Sequence, residues 1–237
     1  MASNNEYEIA LIKNEIDARL CAKLIAEEFA LHNHLSAFNH PTPEELFNGW
    51  VWSLMIDTLN EKLSFLIRHR PTNEIVAVII AGDLFLECKN HPYDVSSLAT
   101  HNPLIDLFDE MLNHFVHHDF NQQLKPKMIL FISVVATKSK YLDKGLATQL
   151  STHICDYARE TKEGLQYAFV QTSNPATRHI YVKKMHRKEM TIIDPATWLW
   201  MKNDDGLLCS LKYYKDEPVV NILIKLTREP FEVIQSF

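Results

Sequence analysis

Glycine is scarce in this chain: 5 residues in 237, at Gly49, Gly82, Gly145, Gly164 and Gly206. Glycine adopts backbone shapes closed to other residues, so this scarcity excludes a collagen-like fibre and makes each position a marker. Cysteine is scarce too. Cys21, Cys88, Cys155 and Cys209 are spread along the chain without a Cys-x-x-Cys pair, and they read as buried free thiols of a reducing compartment. No window approaches the ~18 uninterrupted apolar residues of a membrane span, and the first residues lack the basic and apolar blocks of a signal peptide. The expectation is a cytoplasmic protein without a membrane partner. Positive charge is not in surplus either. With 24 Lys+Arg against 30 Asp+Glu the net charge is -6, which argues against a nucleic-acid partner, because neutralising phosphates needs a clustered basic surface.

What is present suits a globular core: 46% of the residues are hydrophobic and 23% charged, enough for one large domain at this length. A short strand at Tyr7 to Ile12 precedes an amphipathic helix from Glu15 to about Leu31. Pro41-Thr42-Pro43-Glu44-Glu45 is a breaker-and-cap sequence for a second helix. Leu63 to Arg68 and Glu74 to Ala81 read as antiparallel strands joined by Arg70-Pro71-Thr72-Asn73. A polar stretch from Glu87 to Pro103 leads to a helix from Leu104 to about Phe120. Met128 to Val135 is a buried strand, Leu146 to about Thr161 a helix, and Tyr167 to Thr172 a further strand. Asn174-Pro175 opens a helix to about Lys184, and strands at Glu189 to Ile193 and Val219 to Leu226 close the chain antiparallel. With no repeat and no linker, residues 1–237 read as a single mixed α/β (α+β) domain.

Chemistry concentrates in Leu130 to Asp156, where a buried strand enters a short polar loop containing Gly145 and then a helix. The amides from Leu142 to Thr148 lie at the positive end of the helix dipole and lack intrahelical partners, an arrangement suited to a pyrophosphate. The segment is neither a Walker loop nor a GxGxxG turn. Leu142-Asp143-Lys144-Gly145-Leu146-Ala147 resembles the Q/R-x-x-G-x-G/A loop of the GNAT superfamily of acetyl-CoA-dependent N-acetyltransferases, with Leu142 where that pattern has Gln or Arg. Thr172 to Lys183 resembles the superfamily's N-x-x-A/S-x-x-x-Y-x-K signature at Asn174, Thr177, Tyr181 and Lys183, followed by Met185-His186 instead of Gly-Phe. In the N-terminal third, Phe29-Ala30-Leu31-His32-Asn33-His34-Leu35 resembles the Phe-x-x-Asp/Glu-Glu-Pro-Leu segment of the arylalkylamine and dopamine N-acetyltransferase branch at Phe29 and Leu35.

The resemblance implies a GNAT-like, mostly antiparallel central sheet flanked by helices and splayed beside the cofactor strand. It also implies direct attack of a primary amine, arylalkylamine-like or another small amine, on acetyl-CoA in a ternary complex. Val134, Val135 and Thr137 on the cofactor strand and Leu142, Asp143, Lys144, Gly145, Leu146, Ala147 and Thr148 in the loop are the implied cofactor contacts, with Asn174 on the pantetheine arm. Val134 or Val135 polarises the thioester carbonyl, and Tyr181 protonates the departing thiolate. His34, with His32 beside it, stands nearest to the missing carboxylate base. No metal is expected. The competing readings are a GNAT-fold module that holds CoA without turnover and a metal-dependent hydrolase built on His114, His117, His118 and Asp119. The amine and the oligomeric state stay open.

Overall fold

A long central sheet organises the chain, in the order β1-β2-β3-β4-β5-β7-β6. The computed structural model describes residues 6–38, 40–94, 96–100, 102–161, 164–200, 202 and 210–226. The strands are β1 (Tyr7–Leu11), β2 (Phe65–His69), β3 (Glu74–Asp83), β4 (Ile129–Thr137), β5 (Tyr167–Thr172), β6 (Lys188–Ile193) and β7 (Val219–Lys225). Only β4 and β5 run parallel, and every other neighbouring pair is antiparallel. The mixed, mostly antiparallel α/β architecture expected from the sequence is the one observed.

The helices are α1 (Glu15–His32), α2 (His34–Ala37), α3 (Pro43–Leu46), α4 (Trp52–Leu59), α5 (Leu84–Asn90), α6 (Pro103–His114), α7 (Leu146–Thr161) and α8 (Pro175–His179). A π-helical turn at Phe47–Val51 joins α3 to α4, and further π turns extend α6 through Phe115–Asp119 and α8 through Ile180–Lys184. Local chemistry fixes the starts. Thr42 and Glu45 form a reciprocal capping box ahead of Pro43, and Asn14, Asn102 and Asn174 cap α1, α6 and α8. The polar stretch read as irregular from Glu87 begins inside a helix instead. Asp83 accepts a hydrogen bond from Phe85 N–H (3.1 Å) and so starts α5 directly after β3.

Both faces of the sheet are covered. On one, Ile79, Ala81, Leu130 and Ile132 pack with Leu146, Leu150 and Ile154 of α7. On the other, Val78, Ile80, Val134 and Ala136 pack with Ala22 and Ile25 of α1 and Met55 of α4. The alternation along β3 and β4 is the period-two pattern of a strand buried on both sides. Cys21 and Cys155 are buried free thiols and Cys88 is partly buried. Cys209 lies outside the described residues. Among the described residues no helix is long and apolar enough to cross a membrane.

Candidate active site

The sheet opens at the only parallel junction among the described residues. β4 and β5 pair from Ile129↔Tyr167 to Ile132↔Val170 and no further. Beyond that point β4 follows β3 to Thr137 while β5 follows β7 to Thr172. The divergence coincides with a bulge, because Ile80 opposes Val134 and Ala81 opposes Ile132, leaving Ser133 as the extra residue. A cleft of about 1160 Å³ fills the gap, walled by 131–137 of β4 and by 170–174 at the end of β5 and just beyond it, and flanked by residues of α1, α4, α5 and α6.

Backbone groups in this gap are left over from the sheet. Lys138 N–H donates to Val76 O (2.9 Å), and amide direction alternates along a strand, so Ala136 and Val134 face β3 while Val135 and Thr137 face the gap. Of the two valines expected to polarise a carbonyl, Val135 therefore presents its N–H and Val134 spends its own on the ladder. The Thr137 hydroxyl is shielded from solvent without a hydrogen-bond partner among the described residues.

Thr137 leads into the anion loop. A single 3-10 turn at Ser139–Tyr141 is closed by Leu142 N–H donating to Ser139 O (3.2 Å), so the Leu142 amide is already satisfied, contrary to the sequence expectation. Asp143 (φ 60°) and Gly145 (φ 74°) take left-handed conformations, which turn the chain so that the amides of 143–148 reach the start of α7 without backbone partners; the first helical bond is Gln149 N–H to Gly145 O (3.0 Å). Nothing lies within 4 Å of a Cβ placed on Gly145. Leu146 is buried in the core, whereas Leu142 and Ala147 border the cleft. Lys144 lies over the Tyr7 and Tyr141 rings (6.0 and 5.7 Å), and the Thr148 hydroxyl is met by Lys184 Nζ at 3.3 Å. Unpaired amides at a helix start, two strand groups turned into the gap and open space at Gly145 fit a pyrophosphate followed by an amide-bearing arm.

The second block of expected residues is arranged differently. Asn174 borders the cleft, but its side-chain oxygen accepts from the N–H groups of Ala176 (2.9 Å) and Thr177 (3.2 Å), spending it on the α8 cap. Tyr181 is 0% exposed and packs in the core beneath α7. Ile180, not Tyr181, borders the cleft. Asn174 sits outside the helix as its cap, with an extended backbone (φ −103°, ψ 123°), so the seven-residue step does not set Asn174 and Tyr181 on one helix face. The Tyr181 hydroxyl lies beside Ser151 without a well-formed hydrogen bond, and burial pushes its pKa well above the usual phenol range.

His34 is likewise away from the cleft. Asn33 caps α2 through Ser36 N–H (2.9 Å) and turns His34 outward, 61% exposed and 3.3 Å from Asp216. His32 remains at the cleft edge beside Glu28 (3.8 Å). Among the described residues no three His, Cys, Asp or Glu side chains are grouped to hold a metal ion. His114 instead meets Thr191 Oγ1 (3.1 Å) and stacks near His118 (4.8 Å between rings).

The far end of the cleft holds residues that sequence spacing did not bring together. Asp57 of α4, Glu87 and His91 of the α5 segment and Asp109 of α6 all border it. Burial raises the pKa of Glu87, with Asp109 and Asp57 adding to the rise and His91 opposing it. Asp109 is raised by desolvation as well, with Lys202 and His91 opposing and Asp106 adding. The one local signal in the sequence was Asp83, a cap residue at the end of an apolar strand with Glu87 a turn later.

The fold is similar to those of solved acyl-transfer and condensation proteins. The C-terminal condensation domain of Ebony, solved with beta-alanyl-dopamine, is 14% identical over 92% of this chain and 98% of its own, with a TM-score of 0.71. Polyamine N-acetyltransferase of Drosophila melanogaster, an enzyme that forms N-acetylagmatine, is 12% identical over 92% of this chain and 100% of its own, with a TM-score of 0.63. A mosquito arylalkylamine N-acetyltransferase like 5b is 10% identical over 92% of this chain and 99% of its own, also at 0.63. No curated protein sequence gives a match. The sequence profile of the acetyltransferase (GNAT) family, however, matches residues 31–186, a span that takes in both walls of the splayed cleft and the anion loop, and the chain belongs to that family of acyl-transferring enzymes.

Proposed function

We propose that this chain is an acetyl-CoA-dependent N-acetyltransferase for a primary amine, arylalkylamine-like or another small amine, and that residues 1–237 make up one such domain. The observation that carries the reading is continuity: the gap opened at Ser133 runs past the outward Val135 and Thr137 groups straight to the unpartnered amides of 143–148. Acetyl-CoA supplies an acyl group already activated as a thioester, open to direct attack by an amine. The amides of Asp143, Lys144, Gly145, Leu146, Ala147 and Thr148 hold the pyrophosphate, and Thr137 and Asn174 flank the pantetheine arm. Val135 N–H, turned into the gap, would donate to the carbonyl oxygen and stabilise the charge that grows there as the carbon–nitrogen bond forms and the carbon–sulfur bond breaks, with CoA leaving as a thiolate that takes up the proton released by the new amide nitrogen. The ammonium sheds its proton before attack, and the carboxylates of the cleft wall draw the cation in. Likeness to an arylalkylamine N-acetyltransferase-like protein and a polyamine N-acetyltransferase supports an amine as acceptor.

The core position of Tyr181 and the outward turn of His34 favour a second reading, a module that holds CoA without turnover. Calorimetric titration with acetyl-CoA and CoA, followed by thiol release against arylalkylamines, aliphatic polyamines and lysine peptides, separates the two. Binding with turnover is the expected result, binding alone supports the module, and no binding refutes the anion loop.

A further inference from the structure

Resting on the acetyl-transfer reading, we infer that Gln171 positions the attacking amine, its side-chain carbonyl oxygen accepting one N–H of the nitrogen as it meets the thioester. Ser133 of β4 and Gln171 of β5 are the first residues past the last pair of the parallel junction, Ile132↔Val170, so Gln171 stands where the two strands part. A chain of partners fixes its amide. Asn221, its neighbour across the β5–β7 ladder, is 0% exposed and donates through Nδ2 to Met111 O of α6 (3.0 Å). A backbone carbonyl only accepts, so the Asn221 amide has one orientation and turns Oδ1 towards Gln171. Gln171 Nε2 in turn donates to Asn221 Oδ1 (3.2 Å) and to Phe108 O (3.1 Å), both of them acceptors. Exchanging the Gln171 oxygen and nitrogen would set an acceptor against two acceptors, so the oxygen is held on the opposite side.

That oxygen accepts no hydrogen bond among the described residues and is not shielded from solvent, on a side chain that borders the cleft. The hydroxyl of Ser133, next to it by register, does not satisfy it and is itself without a partner. The face of the sheet is the useful one. α7 packs against the opposite face, whereas the bonds to Phe108 and Met111 place the Gln171–Asn221 pair on the α6 side, where the cleft lies. Val135 is two residues past Ser133, ~7 Å farther along β4 at ~3.3 Å per residue, which leaves room for a thioester carbonyl at Val135 N–H and a nitrogen beside Gln171 Oε1. A neutral amine carries N–H groups and one lone pair, and holding an N–H from the side turns the lone pair towards the carbonyl carbon. As the carbon–nitrogen bond forms, the nitrogen becomes positive and its N–H groups become stronger donors. An acceptor fixed in advance therefore stabilises the transition state more than the bound neutral amine. The glutamine amide takes up no proton near neutrality, so its part is positioning and not that of a base.

The experiment measures thiol release in a single turnover, with enzyme in excess of acetyl-CoA and the fastest amine of the panel above at saturation, in wild type, Gln171→Met and Gln171→Asn. Methionine keeps the length of the side chain and removes the amide; asparagine keeps the amide and withdraws it by one methylene. The rate is expected to fall about tenfold to a hundredfold in Gln171→Met, the range for a hydrogen bond to a charged group, and to fall in Gln171→Asn as well. Acetyl-CoA affinity by calorimetry is expected to stay within about twofold of wild type, and the pH midpoint of the rate to stay in place. Should the methionine variant fail to fold, the asparagine variant carries the test. Rates within about threefold of wild type in the folded variants would refute the positioning role and leave the acetyltransferase standing. A moved pH midpoint, or a loss of acetyl-CoA affinity as large as the loss of rate, would refute it too, because the first assigns Gln171 to proton transfer and the second to the scaffold. If wild type releases no thiol with any amine, both readings fall.

Discussion

Replacing Tyr181 by phenylalanine tests the fold and the chemistry together. The ring is fully buried and its hydroxyl has no formed hydrogen bond, with Ser151 and Cys155 as its polar surroundings. A hydroxyl buried without a partner costs about 1–3 kcal/mol, and phenylalanine fills the same space apart from one oxygen. Tyr181→Phe is therefore expected to leave stability unchanged or raise it by about 1 kcal/mol, worth roughly 2–4 °C in unfolding temperature at this size. Since the phenol does not reach the cleft, kcat should stay within about threefold of wild type, the range of a ±0.5 kcal/mol change. A general acid contributes about 10²–10⁴-fold. The assays are thiol release under saturating substrates and thermal unfolding of the same preparation. A fall of about a hundredfold in kcat with unchanged unfolding would refute the reasoning, because it would require the phenol to act on the reacting atoms.

Other perturbations bear on the loop, the scaffold and the cleft. Gly145→Val meets no steric neighbour but must hold a φ of 74°, a strain of roughly 1–2 kcal/mol, so acetyl-CoA affinity measured by calorimetry should fall about tenfold or more; unchanged affinity would show that the loop is not the cradle. Asp83 accepts from both Phe85 N–H (3.1 Å) and Lys127 N–H (2.7 Å), and Asp83→Ala should cost about 2–4 kcal/mol in urea unfolding, with Asp83→Asn recovering part of it. Burial pushes the Glu87 and Asp109 carboxyls upward from their ordinary values, so binding of a cationic amine should weaken on acidification sooner than for ordinary carboxylates. The same raised values act oppositely on the free protein. The folded state takes up those protons before the unfolded state does, so these two groups favour folding as pH falls through their folded-state values, and tighter binding of a cationic amine on acidification would contradict the assignment.

Sequence reading works where one physical cause acts alone. α7 starts and ends where the apolar spacing and Gly145 place it, and β5 occupies the expected Tyr167 to Thr172. It fails where causes compete or where distance enters. α5 is too short for periodicity to register, and its start depends on the Asp83 side chain. The seven-residue step from Asn174 to Tyr181 assumes that both residues are helical, and the extended backbone of Asn174 as the α8 cap removes that premise. Asn174 ahead of Pro175 carries the signature of a cap, which competes with any ligand for its side-chain oxygen. The choice between Val134 and Val135 requires the ladder register, and the meeting of Asp57, Glu87 and Asp109 depends on three separate helices.

The phase of the helix that starts at the Asn174 cap makes active-site composition here a matter of chain length. Ile180 faces the cleft and Tyr181 the core because neighbouring helix residues point about 100° apart. Removing one residue ahead of Tyr181, with the Asn174 cap kept in place, would carry the phenol into the position now held by Ile180, a rotation of about 100°. A deletion of a single codon would then add a titratable hydroxyl to the cleft while every catalytic side chain kept its identity. Comparisons of such sites between relatives accordingly need to align helix phase before they align residues.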